Sequence, residues 1–117
     1  MIRITFLLRK KADLSLEAFQ EYWLNEHGPL VASVANKINA LRYVQVHTME
    51  HPANEAMAQA RGGMEPVYDG VAEVYFESRA ALVSALETEA GQAAAAARHM
   101  DSNVSSWLTA RPFLNDR

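Results

Sequence analysis

Cysteine is absent from this 117-residue chain, which excludes disulfides, thiolate nucleophiles and cysteine-ligated metals. Long apolar runs are missing too. Half of the residues are hydrophobic, yet no stretch approaches the ~18 consecutive apolar residues of a membrane span. The N-terminus also lacks the charged, then apolar, then small pattern of a secretory leader, so a cytoplasmic protein without a membrane partner is expected. Charge of one sign is scarce. The 11 basic and 14 acidic residues are interspersed and sum to −3, which leaves no basic stripe to neutralise phosphates and no nucleic-acid partner to expect. Arg3, Arg9, Lys10 and Lys11 form the only basic cluster and read as a solvated strand end.

Cofactor signatures are missing in the same way. Gly62-Gly63 has neither the preceding strand nor the spacing of a dinucleotide fingerprint, and no G-x-S-x-G context exists for a serine nucleophile. Among the four histidines, His47 and His51 are four apart but straddle a strand end, and no H-x-H occurs, so no metal is expected. No haem, flavin or nicotinamide is called for either. The chemistry falls to His, carboxylates, Tyr and Arg.

What is present is organised. Ile2, Ile4, Phe6 and Leu8 alternate with Arg3, Thr5, Leu7 and Arg9, the period-two pattern of a strand over residues 2–9. Leu16, Phe19 and Trp23 then fall at helical spacing, with Asp13 or Ser15 as N-cap and Glu17 in the first turn, for a helix reaching about residue 26. Gly28 suits a left-handed cap, and Pro29 ends this helix and begins another reaching about residue 37. Residues 41–49 alternate again, with Val44 and Val46 on one face and Tyr43, Gln45 and His47 on the other.

Residues 50–67 contain Pro52, Pro66 and the Gly62-Gly63 pair and read as a long loop with one helical turn near 54–61, of the length of a lid or binding element. A third strand over 70–76 sets Ala72, Val74 and Phe76 against Val71, Glu73 and Tyr75. Ser78 caps a helix over 79–87, Thr88 can cap a further piece through the alanine run 93–97, and a last strand runs from 104 to about 113 around Trp107. Pro112 confines its end to an edge.

Strand, helix, strand, strand, helix, strand is the order of a ferredoxin-like βαββαβ fold in the α+β class, with a four-stranded antiparallel sheet and helices on one face. One domain spanning 1–117 is expected, of a size where an oligomer interface adds apolar burial. The helix-free face is expected to carry Thr5, Leu7, Tyr43, Gln45, Val71 and Tyr75, together with Trp107 or Leu108. That surface is too apolar and aromatic for open solvent, and a second copy of the chain would cover it.

Two blocks carry a family resemblance: F-x-x-Y-W-x-x-x-H-G-P-L from Phe19 to Leu30, and Y-D-G-V-A-E-x-x-F-x-S from Tyr68 to Ser78. In this order, after an opening strand and before an alanine-rich helix, they resemble the EthD family over most of the chain. The resemblance implies a homodimeric α+β barrel with a small apolar cleft in each subunit. Members are associated with degradation of ethyl tert-butyl ether alongside a cytochrome P450 system, which becomes an expected partner, and fungal relatives with dehydration steps in aromatic polyketide synthesis. The wider superfamily includes cofactor-independent monooxygenases, cyclases and isomerases. After the second helix, relatives often carry an acidic-aromatic stretch, for which Asp101 is the one match here.

His27 is the leading acid/base candidate, placed where a helix ends and named by the family block, against the alternative of a histidine capping helix carbonyls. Tyr22 and Glu73 join it as catalytic candidates. Glu73, alone of its sign inside the third strand, needs a partner such as Arg3, Arg42 or a Tyr hydroxyl. Phe6, Phe19, Trp23, His47, Tyr75 and Trp107 are the candidate substrate contacts, with a cleft expected between the first helix and Ile4, Phe6, Val74 and Phe76. Trp23 also reads as core, and His47 as an interfacial contact or a proton shuttle. An apolar cleft with one polar end suits a hydrophobic or aromatic small molecule. The enzyme reading stands beside that of a non-catalytic carrier or accessory to an oxygenase.

Overall fold

Strand β1, Ile2–Lys10, occupies the middle of the sheet in a computed structural model that describes residues 1–63, 65–88 and 108–116. The elements after it are helix α1 (Leu16–Tyr22), a π-helical turn (Trp23–His27), helix α2 (Gly28–Ala35), a 3-10 turn (Asn36–Ile38), strand β2 (Arg42–His47), helix α3 (Ala53–Ala60), strand β3 (Gly70–Phe76), helix α4 (Arg79–Glu87) and strand β4 (Leu108–Asn115). The four strands pair antiparallel in the order β2-β3-β1-β4, the ferredoxin-like arrangement expected. Expectations for the alanine run 93–97, Asp101, Trp107 and the start of the last strand lie outside the described residues.

The helix starts obey local chemistry. Ser15 caps α1, its Oγ accepting from the Ala18 amide at 3.1 Å, and Ser78 caps α4, its Oγ accepting from the Ala81 amide at 3.1 Å. Beneath α1, Phe19 and Trp23 lie four apart and pack with Leu8 and Ala72. Beneath α4, Leu82 and Ala85 pack with Ile2, Ile38 and Phe76.

The junction between α1 and α2 departs from expectation. Gly28 has φ −53° and ψ −48°, ordinary right-handed helix rather than a left-handed cap. Its amide donates to the carbonyl of Trp23, five residues back, which makes the turn π-helical. Pro29 has no amide hydrogen, and its ring would press on the carbonyl four residues back in a regular helix. The wider turn relieves that clash, so the chain passes through Pro29 without breaking. The left-handed residue comes later, at Asn39 (φ 58°), after the 3-10 turn.

The second correction concerns β2. Tyr43, Gln45 and His47 pair with Val74, Ala72 and Gly70, which in turn pair with Ile4, Phe6 and Leu8, so this row faces the helices. Val44 and Val46 face the other way, with Leu7, Glu73, Val71 and Phe113. Alternation alone does not say which face of a strand is inward; pairing with β3 does.

The loop after β2 is longer in helix than expected, α3 spanning two turns, and its far end is tied to β1. Arg9 donates to the carbonyls of Pro66 (3.1 Å) and Val67 (3.3 Å) and lies 4.0 Å over the Tyr68 ring, while the Lys10 amide donates to Asp69 Oδ2 at 2.8 Å. Arg9, read from sequence as solvated charge, is thus a staple.

Gly70 lies directly under the Trp23 ring. A Cβ there would stand 2.5 Å from Cζ3 and 2.8 Å from Cη2 of an indole that is 1% exposed. Gly70→Ala is therefore expected to cost about 1–3 kcal/mol in chemical denaturation, the range for an overpacked core.

Candidate functional site

An open cleft of about 500 Å³ separates α2 from β2, lined by Leu24, Gly28, Pro29, Ala32, Tyr43, Gln45 and His47. Its origin is in side-chain size. Gly28 and Ala32 lie one helical turn apart with Pro29 between them, and these small groups leave unfilled the space in front of β2. The volume is within the ~300–1,000 Å³ of small-molecule sites.

The β2 wall is polar and tightly bonded. Gln45 Nε2 donates to the Trp23 carbonyl (3.0 Å) and to the Tyr43 hydroxyl (2.8 Å). A backbone carbonyl only accepts, so the end of the Gln45 amide facing it is the NH2 group, and Oε1 faces His47. His47 Nε2 lies 2.8 Å from that oxygen, which also only accepts. The proton of the neutral imidazole therefore resides on Nε2, and Nδ1 keeps a lone pair. The imidazole stacks on the Trp23 indole with centroids 4.5 Å apart. Gly28 belongs to the same arrangement: a Cβ on it would stand 3.1 Å from Gln45 Nε2, so the missing side chain gives room for the amide to reach the turn.

Burial shifts both titratable groups of the wall toward neutrality. Desolvation raises the Tyr43 phenol above its ordinary value, opposed by hydrogen bonds from the Gln45 and Trp23 side chains. Desolvation lowers His47 below 6.5. Neutral phenol and neutral imidazole are the resting forms at pH 7.

The sequence candidates separate into three places. Phe19, Trp23, Tyr22 and Phe6 gather in or against the core under α1, with Trp23 bridging to His47 at the cleft. Glu73 and Tyr75 lie on the opposite sheet face, where Glu73 meets Arg3 Nε at 3.2 Å and accepts from the Tyr75 hydroxyl at 3.3 Å, the partners its burial called for. His27 closes the π turn, half-buried, and is not part of the cleft lining. Trp107 is outside the described residues. The cleft itself differs from the one expected, since its strand wall is β2 and not Ile4, Phe6, Val74 and Phe76. Tyr43, Gln45 and His47 face the helices and not the helix-free side expected for their row; the small-residue spacing of Gly28 and Ala32 is the available signal for the cleft. Among the described residues no group of three or more His, Asp or Glu could hold a metal ion, and no helix is long and apolar enough to cross a membrane.

His47 makes stability depend on pH in a defined direction. Its folded value is below 6.5, so as pH falls the unfolded chain takes up this proton first, and stability is lost from about 6.5 down through the folded value. Denaturation midpoints measured between pH 7 and 5 are expected to fall more steeply for the wild type than for His47→Gln.

The EthD domain family matches residues 11–101. Among solved structures, an ethyl tert-butyl ether D family protein from Bacillus halodurans C-125 superposes with a TM-score of 0.62 at 17% identity, covering 100% of this chain and 98% of that one. HapK from Hahella chejuensis superposes with a TM-score of 0.57 at 14% identity, covering 100% and 92%. No curated protein matches the sequence. At these identities the superpositions speak for the fold, and the matched residues take in both sequence blocks and the whole cleft; the chain belongs to the EthD family.

Proposed function

We propose that this protein is a cofactor-independent enzyme that binds a hydrophobic or aromatic small molecule in the cleft between α2 and β2. The observation that carries the reading is the bonded row Tyr43, Gln45 and His47 facing Leu24, Pro29 and Ala32. An apolar wall opposite a few fixed polar groups orients a largely apolar ligand and offers proton transfer at one end. The family designation, taken from a small ether, agrees with a ligand of this kind. His47 takes the acid/base place that the sequence blocks assign to His27, because it lines the cleft and His27 does not.

The test is thermal stability of the wild type, His47→Ala and His27→Ala against aromatic and polyketide-like compounds, followed by turnover of each compound that binds. A ligand that binds only the folded state raises the midpoint by mass action, about 2.7 kcal/mol at a hundredfold excess over Kd. The reading expects a shift in all three proteins and loss of turnover in His47→Ala. Loss in His27→Ala alone returns the role to His27, and binding without turnover in the wild type makes the protein a carrier.

The reading also makes the protein a homodimer through the open sheet face. Leu7, Val44, Val46, Val71 and Phe113 form its apolar part, Val46 being 48% exposed. Arg3 and Arg42 flank Tyr75 from the neighbouring strands, each 5.6 Å from its ring. Val46→Glu is expected to yield monomers in sedimentation velocity under conditions where the wild type sediments as a dimer.

A further inference from the structure

Gln45 bonds to three groups at once: the Trp23 carbonyl, the Tyr43 oxygen and His47 Nε2. Each of these bonds settles what the partner has left to offer. The Tyr43 oxygen accepts from Gln45 Nε2, so its hydroxyl hydrogen is free to be donated to a ligand. His47 has its Nε2 hydrogen committed to Gln45, and Nδ1 makes no hydrogen bond among the described residues, so that nitrogen is free to accept. One amide thus bridges the Tyr43 hydroxyl and the His47 Nε2–H at 2.8 Å each, and the donor and the acceptor belong to side chains that line the same cleft.

We propose that Tyr43 and His47 are a general acid and general base that enolise a carbonyl compound with an apolar, ring-sized body, and that Gln45 is the positioning residue which assigns the two roles. The inference rests on the cleft being a substrate site. In the step, His47 Nδ1 takes a proton from the carbon next to the carbonyl, and that C–H pair becomes the C=C bond. The C=O π pair moves to oxygen, which takes the Tyr43 proton. The products are the enol, an imidazolium and a phenolate, with no net change in charge and no oxidant or metal consumed. Return of the protons at the same carbon gives exchange; return at a conjugated carbon gives isomerisation.

Burial opposes the charges that develop, and fixed dipoles beside both side chains offset part of that cost. Gln45 Nε2–H already points at the oxygen that becomes phenolate, and Gln45 Oε1 already accepts from the ring that becomes imidazolium. The indole face under that ring favours a cation. These dipoles are in place before the reaction and need no reorganisation.

The probe is 2-indanone, a bicyclic aromatic ketone with acidic α-hydrogens. Its exchange for deuterium is followed by proton NMR in D2O with catalytic protein, binding by shifts of the Ala32, Tyr43, Gln45 and His47 amides, and the imidazole state by nitrogen-15 shifts of the free protein. The wild type is expected to accelerate exchange over buffer and to show Nε2 protonated with Nδ1 bare. Tyr43→Phe and His47→Gln are each expected to slow exchange about 100-fold while the amide shifts persist. Gln45→Met is expected to lose exchange and to move the nitrogen-15 shifts toward a tautomer mixture, which a purely structural role for Gln45 would not do. Binding without exchange, or a protonated Nδ1 in the wild type, overturns this proposal and leaves the cleft as a binding site. An absence of amide shifts at saturating probe overturns it too, and the loss then extends to the cleft as a site for aromatic ligands.

Discussion

The carbonyl of Trp23 accepts from two donors, the Gly28 amide across the π turn and the Gln45 amide from β2, and this double acceptance fixes the helix pair to the sheet edge. A regular helical carbonyl is satisfied by one amide four residues on. Here the bond goes one residue further, the turn widens, and the oxygen is open to a side chain from another element. Gln45 reaches it because Gly28 has no side chain in the way. The indole of the same residue packs against Gly70, is stacked by His47 on its face and is met at a tilt by Phe19. Removing such a ring from a core costs about 3–5 kcal/mol, so one residue contributes both to cohesion and to the alignment of the cleft wall.

The two faces of the sheet are built to different rules. The helix face is closed by large side chains under α1 and α4, and left open where α2 presents small ones. Among the described residues the other face has no such filling; its apolar part is interrupted by the Arg3–Glu73 pair and the Asn115-to-Thr5 hydrogen bond at 2.7 Å. A partly exposed ion pair of this kind contributes little to stability by itself. Its value is directional, since a charged row inside an apolar surface fixes how anything laid on that surface must be oriented.

Much of this was legible in the chain. Period-two alternation in residues 2–9 and 70–76 located two strands that the structure places side by side. Ser78, and Asp13 or Ser15, announced their helices, because a cap is a short-range hydrogen bond between a side-chain oxygen and a nearby amide, and Ser15 and Ser78 make it. The charge on Glu73 announced its need for Arg3 and Tyr75. What stayed hidden was whatever depends on distant partners. Val44 and Val46 look like the inward face of β2 to any reading that equates apolar with buried, and only pairing with β3 turns Tyr43, Gln45 and His47 inward. The π turn was hidden for a related reason. Pro29 after Gly28 reads as a helix stop, and the sequence near it does not distinguish a broken helix from one that absorbs the proline by widening.

The π turn is in effect a single surplus residue threaded into an otherwise regular helix, and this gives the region an unusual sensitivity to length. A substitution within Trp23–His27 alters one side chain. Shortening the segment by one residue would return the Trp23 carbonyl to a bond four residues on and set the Pro29 ring against the carbonyl behind it. Pro29 and Ala32 would keep their place, but Gln45 would lose the open carbonyl that holds it, although none of the residues lining the cleft had changed. The order of the cleft wall is a property of helix winding as much as of composition.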